Sequence, residues 1–169
     1  MDDAARFDEI FRTHRRAVLA YALRRAGDPA DAADAVAETF LVAWRRLDDV
    51  PADALPWLLG VARRVLANLR RGRRRRDGLA ERLAAELAQS PPVREDDVPD
   101  AVTRALAALS EEDRELLALF AWEELRPAQI AVALGLKPAT ARTRLHRALA
   151  RLREQLALHG FTPDLERIR

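Results

Sequence analysis

Apolar residues in this chain recur at intervals of three and four along nearly every stretch, and nowhere do they alternate for long. A half-buried strand needs a period of two, whereas one face of a helix needs a period near 3.6. The pattern therefore excludes a sheet-based domain and predicts an all-α protein. Alanine and leucine are abundant and β-branched residues scarce, so local propensity agrees with the period.

Breakers divide this pattern into helices. The first is expected over about Ala5 to Arg25, stopping at Gly27. Asp28-Pro29 reads as an N-cap followed by proline at the first helical position, with Asp31 in the first turn. This second helix places Val36, Phe40, Trp44 and Leu47 on one face, and Asp31, Asp34 and Glu38 on the opposite one. A loop follows from Asp48 to Asp53. Asp53 then starts a third helix, with Pro56 tolerated in its first turn, that runs through Trp57, Leu58, Val61 and Val65 into an arginine cluster.

From Asp77 to Asp100 the acids Asp77, Glu81, Glu86, Glu95, Asp96, Asp97 and Asp100 oppose only Arg82 and Arg94. The first half of this stretch can be helical. Pro91, Pro92 and Pro99 make the second half an extended linker. The expected organisation is thus two small helical domains, 1–77 and 101–169, joined by an acidic proline-containing linker over 78–100. In the second domain, Val102, Leu106 and Leu109 mark a helix. Ser110-Glu111-Glu112-Asp113 resembles a capping box at the start of the next. A short helix from Pro127 to Leu134 should end at Gly135, a natural left-handed residue, and Pro138 should open a last helix reaching Leu158.

The bulk numbers narrow the class. With 49% apolar and 33% charged residues the chain is globular rather than disordered. It has no cysteine, hence no disulfide framework and no thiolate metal site. His14, His146 and His159 lack ligand spacing, so no metal or cofactor is expected. No apolar run approaches the ~20 residues that span a bilayer, and the acidic start MDDAARFDEIF lacks a signal-peptide core, so a cytoplasmic protein without membrane insertion is expected. The formal charge of +2 says little about partners; its distribution says more.

The second domain carries the clearest signal. Gln129-Ile130-Ala131 and Leu134-Gly135-Leu136, followed by Ala139 to Arg147, have the helix, glycine turn, helix grammar of a helix-turn-helix, whose second helix enters the major groove. Arg142, Arg144, Arg147, Arg151 and Arg153 crowd that helix, with no acid before Glu154. Arginine can grip guanine with two parallel bonds and can also neutralise phosphate. A second basic cluster comprises Arg63, Arg64, Arg70, Arg71 and Arg73 to Arg76. It is either a backbone-binding patch or a solvated basic tail. The acids Asp31, Asp34 and Glu38, taken by themselves, read first as a solvated face. On one regular helix, without a neighbouring histidine or a glycine-rich phosphate loop, they give no sign of catalytic carboxylates, and no enzyme is expected. Trp44 and Trp57 are expected in the core, and Trp122 as packing.

These pieces, in this order, resemble the extracytoplasmic-function sigma factors of RNA polymerase. Asp31 to Trp44 is similar to the family's region two polymerase-binding helix, Pro56 to Arg63 to its promoter-melting helix, and Leu109 to Leu149 to region four. The resemblance implies a transcription initiation factor that binds core RNA polymerase, on the beta-prime clamp helices and the beta flap, and promoter DNA. It makes Asp31, Asp34, Glu38 and Leu41 polymerase contacts. It makes Arg142, Thr143, His146 and Arg147 contacts to the minus-thirty-five element, with Arg144 toward phosphate or structure; Arg151, one turn further out than Arg147, is expected on phosphate. The loop residues Asp48, Asp49 and Asp53, with Arg63, Arg64, Arg70 and Arg71, fall where the minus-ten element is received and opened. Asp96 and Asp97 suit a linker lying in the polymerase cleft. An anti-sigma factor is a further partner that the resemblance implies. The chain departs from the family at Arg64, Ala37, Arg126 and Lys137, which stand where Asn, Gln, Ser and Ser are common. Outside the resemblance, the residues alone leave open a polymerase-independent helix-turn-helix regulator and a helical adaptor.

Overall fold

The computed structural model describes residues 2–84 and 100–160, with side chains from 2 to 72 and from 101 to 160. Among these residues all regular structure is helical: α1 Asp3–Arg25, α2 Pro29–Arg45, a 3₁₀ turn Leu47–Asp49, α3 Ala54–Ala84, α4 Asp100–Ala107, α5 Glu111–Ala121, α6 Pro127–Leu134 and α7 Pro138–Leu158. The chain divides into two compact units, one built on α1–α3 and the other carrying most of α4–α7. The acidic stretch begins as a continuation of α3, which runs through Asp77, the expected end of the first domain, as far as Ala84. Asp96 and Asp97 lie outside the described residues.

In the first unit α1, α2 and α3 pack pairwise. Alanines at 32, 35 and 43 are fully buried on α2, so the helices approach closely around Tyr21, Phe40, Leu58 and Leu59. Thr39 is the buried polar residue of that seam; its hydroxyl donates to the Ala35 carbonyl at 2.6 Å, which satisfies it within the core. The start of α2 is built as expected, with the Asp28 carboxylate accepting from the Ala30 N–H at 2.6 Å and Pro29 supplying the first helical residue. Two tryptophans depart from the expectation. Trp44 remains 47% exposed, resting edge-on against Phe7 at 5.2 Å between ring centres, because the helix α1 residues over it, Phe7 and Phe11, are themselves only partly covered. Trp122 is 60% exposed at the C-cap of α5.

The second unit centres on α7, against which α4 and α5 pack through Ala141, Leu145, Ala148 and Leu156. Ser110 caps α5, its hydroxyl oxygen accepting from the Asp113 N–H at 3.1 Å. Arg114 closes the preceding turn, donating to the carbonyls of Leu106, Ala107 and Leu109 at 3.0–3.4 Å, where α4 ends and the chain turns toward α5. Between α5 and α6 the chain reverses through Glu124, whose φ of 54° is left-handed. Gln129 supplies one half of a capping box, accepting from the Arg126 N–H at 2.9 Å. Gly135, with φ of 67°, makes the turn into α7, where a side chain would be strained.

Candidate nucleic-acid interface

The helix-turn-helix lies where the sequence places it. On α7, Ala141, Leu145 and Ala148 face inward, and this fixes the exposed side as Arg142, Thr143, Arg144, His146 and Arg147. Arg142 and Arg147 sit five residues apart, about 140° around the axis, and flank Thr143 and His146. Neither arginine has an acidic partner among the described residues, so both guanidinium groups are available to an anion. Arg144 and Arg151 differ. Arg144 lies 3.7 Å from the Glu112 carboxylate, and Arg151 donates to the Asp113 carboxylate at 2.6 Å. Lys137, which precedes α7, makes no side-chain cap, and Pro138 has no N–H to offer, so the first turn keeps free backbone donors on the same exposed end.

In the first unit the loop from Asp48 to Asp53 is held from several sides. Leu47 and Val50 are buried beneath it. Arg46 brings Nε and Nη2 to one Asp49 carboxylate oxygen, each at 2.8 Å. Arg6, forty-four positions earlier, donates to the Val50 carbonyl at 2.8 Å. Asp53 faces His14, and burial of that imidazole, opposed by Asp53 and Glu9, lowers its pKa below the ordinary 6.5. Asp48 stands exposed, without a partner among the described residues. The three loop acids are thus in three different settings, which their sequence does not distinguish.

The acids of α2 line a groove. Asp34, Glu38 and Leu41 form one rim of an open cleft of about 910 Å³ between α2 and α3, Arg64 stands on the other rim, and Val42, Val61, Val65 and Leu69 make the floor. Asp31 lies one turn before this cleft and is not part of its lining. Arg63, next to Arg64 in sequence, turns away from the others: it is half-buried, and its Nε is enclosed without a hydrogen-bond partner. Arg70 and Arg71 are exposed further along α3, Arg71 donating to Asn68. The side chains of Arg73 to Arg76 lie outside the described residues. No group of three His, Asp or Glu among the described residues has metal-binding geometry, and no described helix is long and apolar enough to cross a membrane.

Both halves of the chain match known families. Residues 10–76 match the Sigma-70 region 2 family model and residues 100–152 match Sigma-70, region 4. The ECF RNA polymerase sigma factor SigL of Mycobacterium tuberculosis is 35% identical over 169 residues, covering 95% of this chain and 94% of that protein. This chain belongs to the ECF sigma factors. It is a transcription initiation factor, acting with RNA polymerase at promoters, and the standalone regulator gives way to that assignment. The RNA polymerase sigma-E factor of Streptomyces coelicolor is 35% identical over 166 residues, with 92% and 89% of the two chains covered. Among solved structures, CnrH in complex with the cytosolic domain of CnrY aligns over 90% of this sigma factor and 88% of that chain, at 25% identity and a TM-score of 0.59. The sigma factor RpoE of Bartonella quintana, in complex with the anti-sigma factor NepR, shares the fold at a TM-score of 0.62 and 23% identity, over 89% of this chain and 96% of that one.

Within this sigma factor, sequence reading missed the residues that act at long range. Arg6 on Val50 and Asp113 on Arg151 join positions 44 and 38 residues apart, and no local pattern announces either. The Arg46–Asp49 fork did have a signal, since opposite charges three apart at a helix end are neighbours.

Proposed function

We propose that the two exposed faces divide promoter work between the units, with α7 reading the minus-thirty-five element and the first unit holding polymerase and receiving the minus-ten element. The observation that carries this reading is the exposed set Arg142, Thr143, His146 and Arg147 on α7, with both arginines unpaired at the end of the helix that a helix-turn-helix inserts into the groove. Arg147 takes a base edge and Arg142 a base or an adjacent phosphate. The acid-rimmed groove of α2 and α3, with Asp34, Glu38 and Leu41, and Asp31 beside it, takes the beta-prime clamp helices of core polymerase, and the second unit meets the beta flap. The Asp48 to Asp53 loop with Arg64 receives a flipped minus-ten base, and Arg63, Arg70 and Arg71 lie along the melting strand. Asp96 and Asp97 occupy the polymerase cleft. The division of labour is 1–77 for the first unit and 101–169 for the second, with 78–100 as the linker between them.

The chain contributes no bond-making chemistry and no cofactor; nucleotidyl transfer belongs to the polymerase. Its place of work is the cytoplasm, where polymerase and promoter are. That CnrH and the Bartonella factor are each held by a partner, CnrY and the anti-sigma factor NepR, supports an anti-sigma factor for this chain as well. The test is promoter binding by reconstituted holoenzyme across single-base variants of the minus-thirty-five element at two salt concentrations. Arg147→Ala should reduce discrimination at one position, since a lost bidentate contact is worth ~1–3 kcal/mol. If it instead lowers every variant equally, Arg147 is a backbone contact and the base-reading assignment fails.

A further inference from the structure

Helix α7 is tied to α5 at two points that lie on one side of it. Arg144 and Arg151 are seven residues apart, within about 20° of the same direction around the axis. Their partners Glu112 and Asp113 are consecutive residues in the first turn of α5. The two ties are unequal. Glu112 is 83% exposed and 3.7 Å from its arginine, a contact that solvent and salt screen. The Asp113 side chain is only 10% exposed and meets Arg151 at 2.6 Å. Its own N–H is taken by Ser110, so the first turn of α5, the carboxylate and the guanidinium form one connected chain of bonds. A mostly buried carboxylate with a single cationic partner holds that partner in place, because separation leaves the charge without compensation.

We propose that Asp113 is a positioning residue for promoter reading. By holding Arg151 it fixes the roll of α7 on α5, and so the direction in which Thr143, His146 and Arg147 meet the groove. It also withdraws Arg151 from the cations that meet phosphate. A roll of about 20° moves a side-chain tip ~5–6 Å from the helix axis by about 2 Å, more than a hydrogen bond tolerates. The proposal rests on α7 being the minus-thirty-five reader, and gives Arg151 a role different from the phosphate contact its position suggested.

The experiment is promoter binding by holoenzyme carrying Asp113→Asn, Arg151→Gln, both together, or Arg147→Ala, across minus-thirty-five variants and a salt series. Arg151→Gln should cut discrimination about fivefold, the low end of what one displaced base contact costs, while leaving the salt slope unchanged. Asp113→Asn should cut discrimination equally and steepen the slope by ~0.9, because the released Arg151 finds a phosphate. The double variant should discriminate no worse than either single one, with the slope of the unaltered protein. A slope shallower by ~0.9 in Arg151→Gln, with discrimination intact, makes Arg151 a backbone contact and overturns the proposal, whatever Asp113→Asn does to stability. Lost discrimination in Arg147→Ala with no change in the other variants overturns it alone. Unchanged discrimination in all of them overturns the reading of α7 and this proposal with it.

Discussion

Replacing Arg6 with Met separates the frame of the loop from its sequence. The substitution keeps an unbranched side chain to pack along α1 and deletes the guanidinium that donates to the Val50 carbonyl at 2.8 Å. Val50 is 3% exposed, so this carbonyl has little water to turn to. A hydrogen bond from a charged donor is worth ~1.5–3 kcal/mol net, and partial exposure of Arg6 places this one at about 1.5. Leu47 and Val50 remain buried and the Arg46–Asp49 fork remains, so the loop loosens rather than melts. About 1.5 kcal/mol is roughly a tenfold shift between the held loop and its alternatives. Discrimination among single-base minus-ten variants by holoenzyme should therefore fall by up to about tenfold, while minus-thirty-five discrimination stays as it was. Urea unfolding should show a loss of about 1.5 kcal/mol. If stability falls by that amount and minus-ten discrimination is untouched, the bond braces only the fold, and the reasoning that the loop's shape reads the base is refuted.

Asp34→Arg with Glu38→Arg reverses one rim of the groove on two exposed positions, so pull-down of core polymerase should weaken at moderate salt while helical circular dichroism persists; unchanged affinity places the polymerase contact elsewhere. Glu124→Gly relieves a left-handed residue at the α5–α6 turn and should stabilise the chain by about 1 kcal/mol in urea melts, a gain absent if the turn is not strained. His14 has a lowered pKa from burial, so between 6.5 and that lower value the unfolded chain binds more protons than the folded one. Stability should therefore rise with pH across this window and be lost as pH falls through it. His14→Gln should flatten this slope, measured by denaturant melts between about pH 6.5 and 5.5, above most carboxylate titration.

The helical skeleton was legible because each boundary is written in local chemistry: Asp28-Pro29, Ser110, Pro127, Gly135 and Pro138 all stand at the ends their residue types predict. The exposed set on α7 was legible for the same reason, since periodicity places Ala141, Leu145 and Ala148 inward. Burial of Trp44 was not, because periodicity gives the direction of a side chain but not whether a neighbour covers it. Helix α3 continues past Asp77 to Ala84, within the half of the acidic stretch that the sequence leaves open to helix, because a change from basic to acidic residues alters charge without removing helix propensity. The pairing of Arg151 was invisible for another reason: among arginines at similar spacing on one helix, only the tertiary position of Asp113 singles it out.

The loop between α2 and α3 owes its shape to residues that are almost all outside its exposed surface: Arg6 on another helix, Arg46 before it, and the inward-facing Leu47 and Val50. Asp48 and its exposed neighbours Pro51 and Ala52 carry little of that burden. The outward positions are thus separable from the contacts that hold the segment. On the proposed minus-ten role, substitutions at those positions would change promoter preference at little cost to the fold, while a change at Arg6 would disturb the loop whatever its outward residues are.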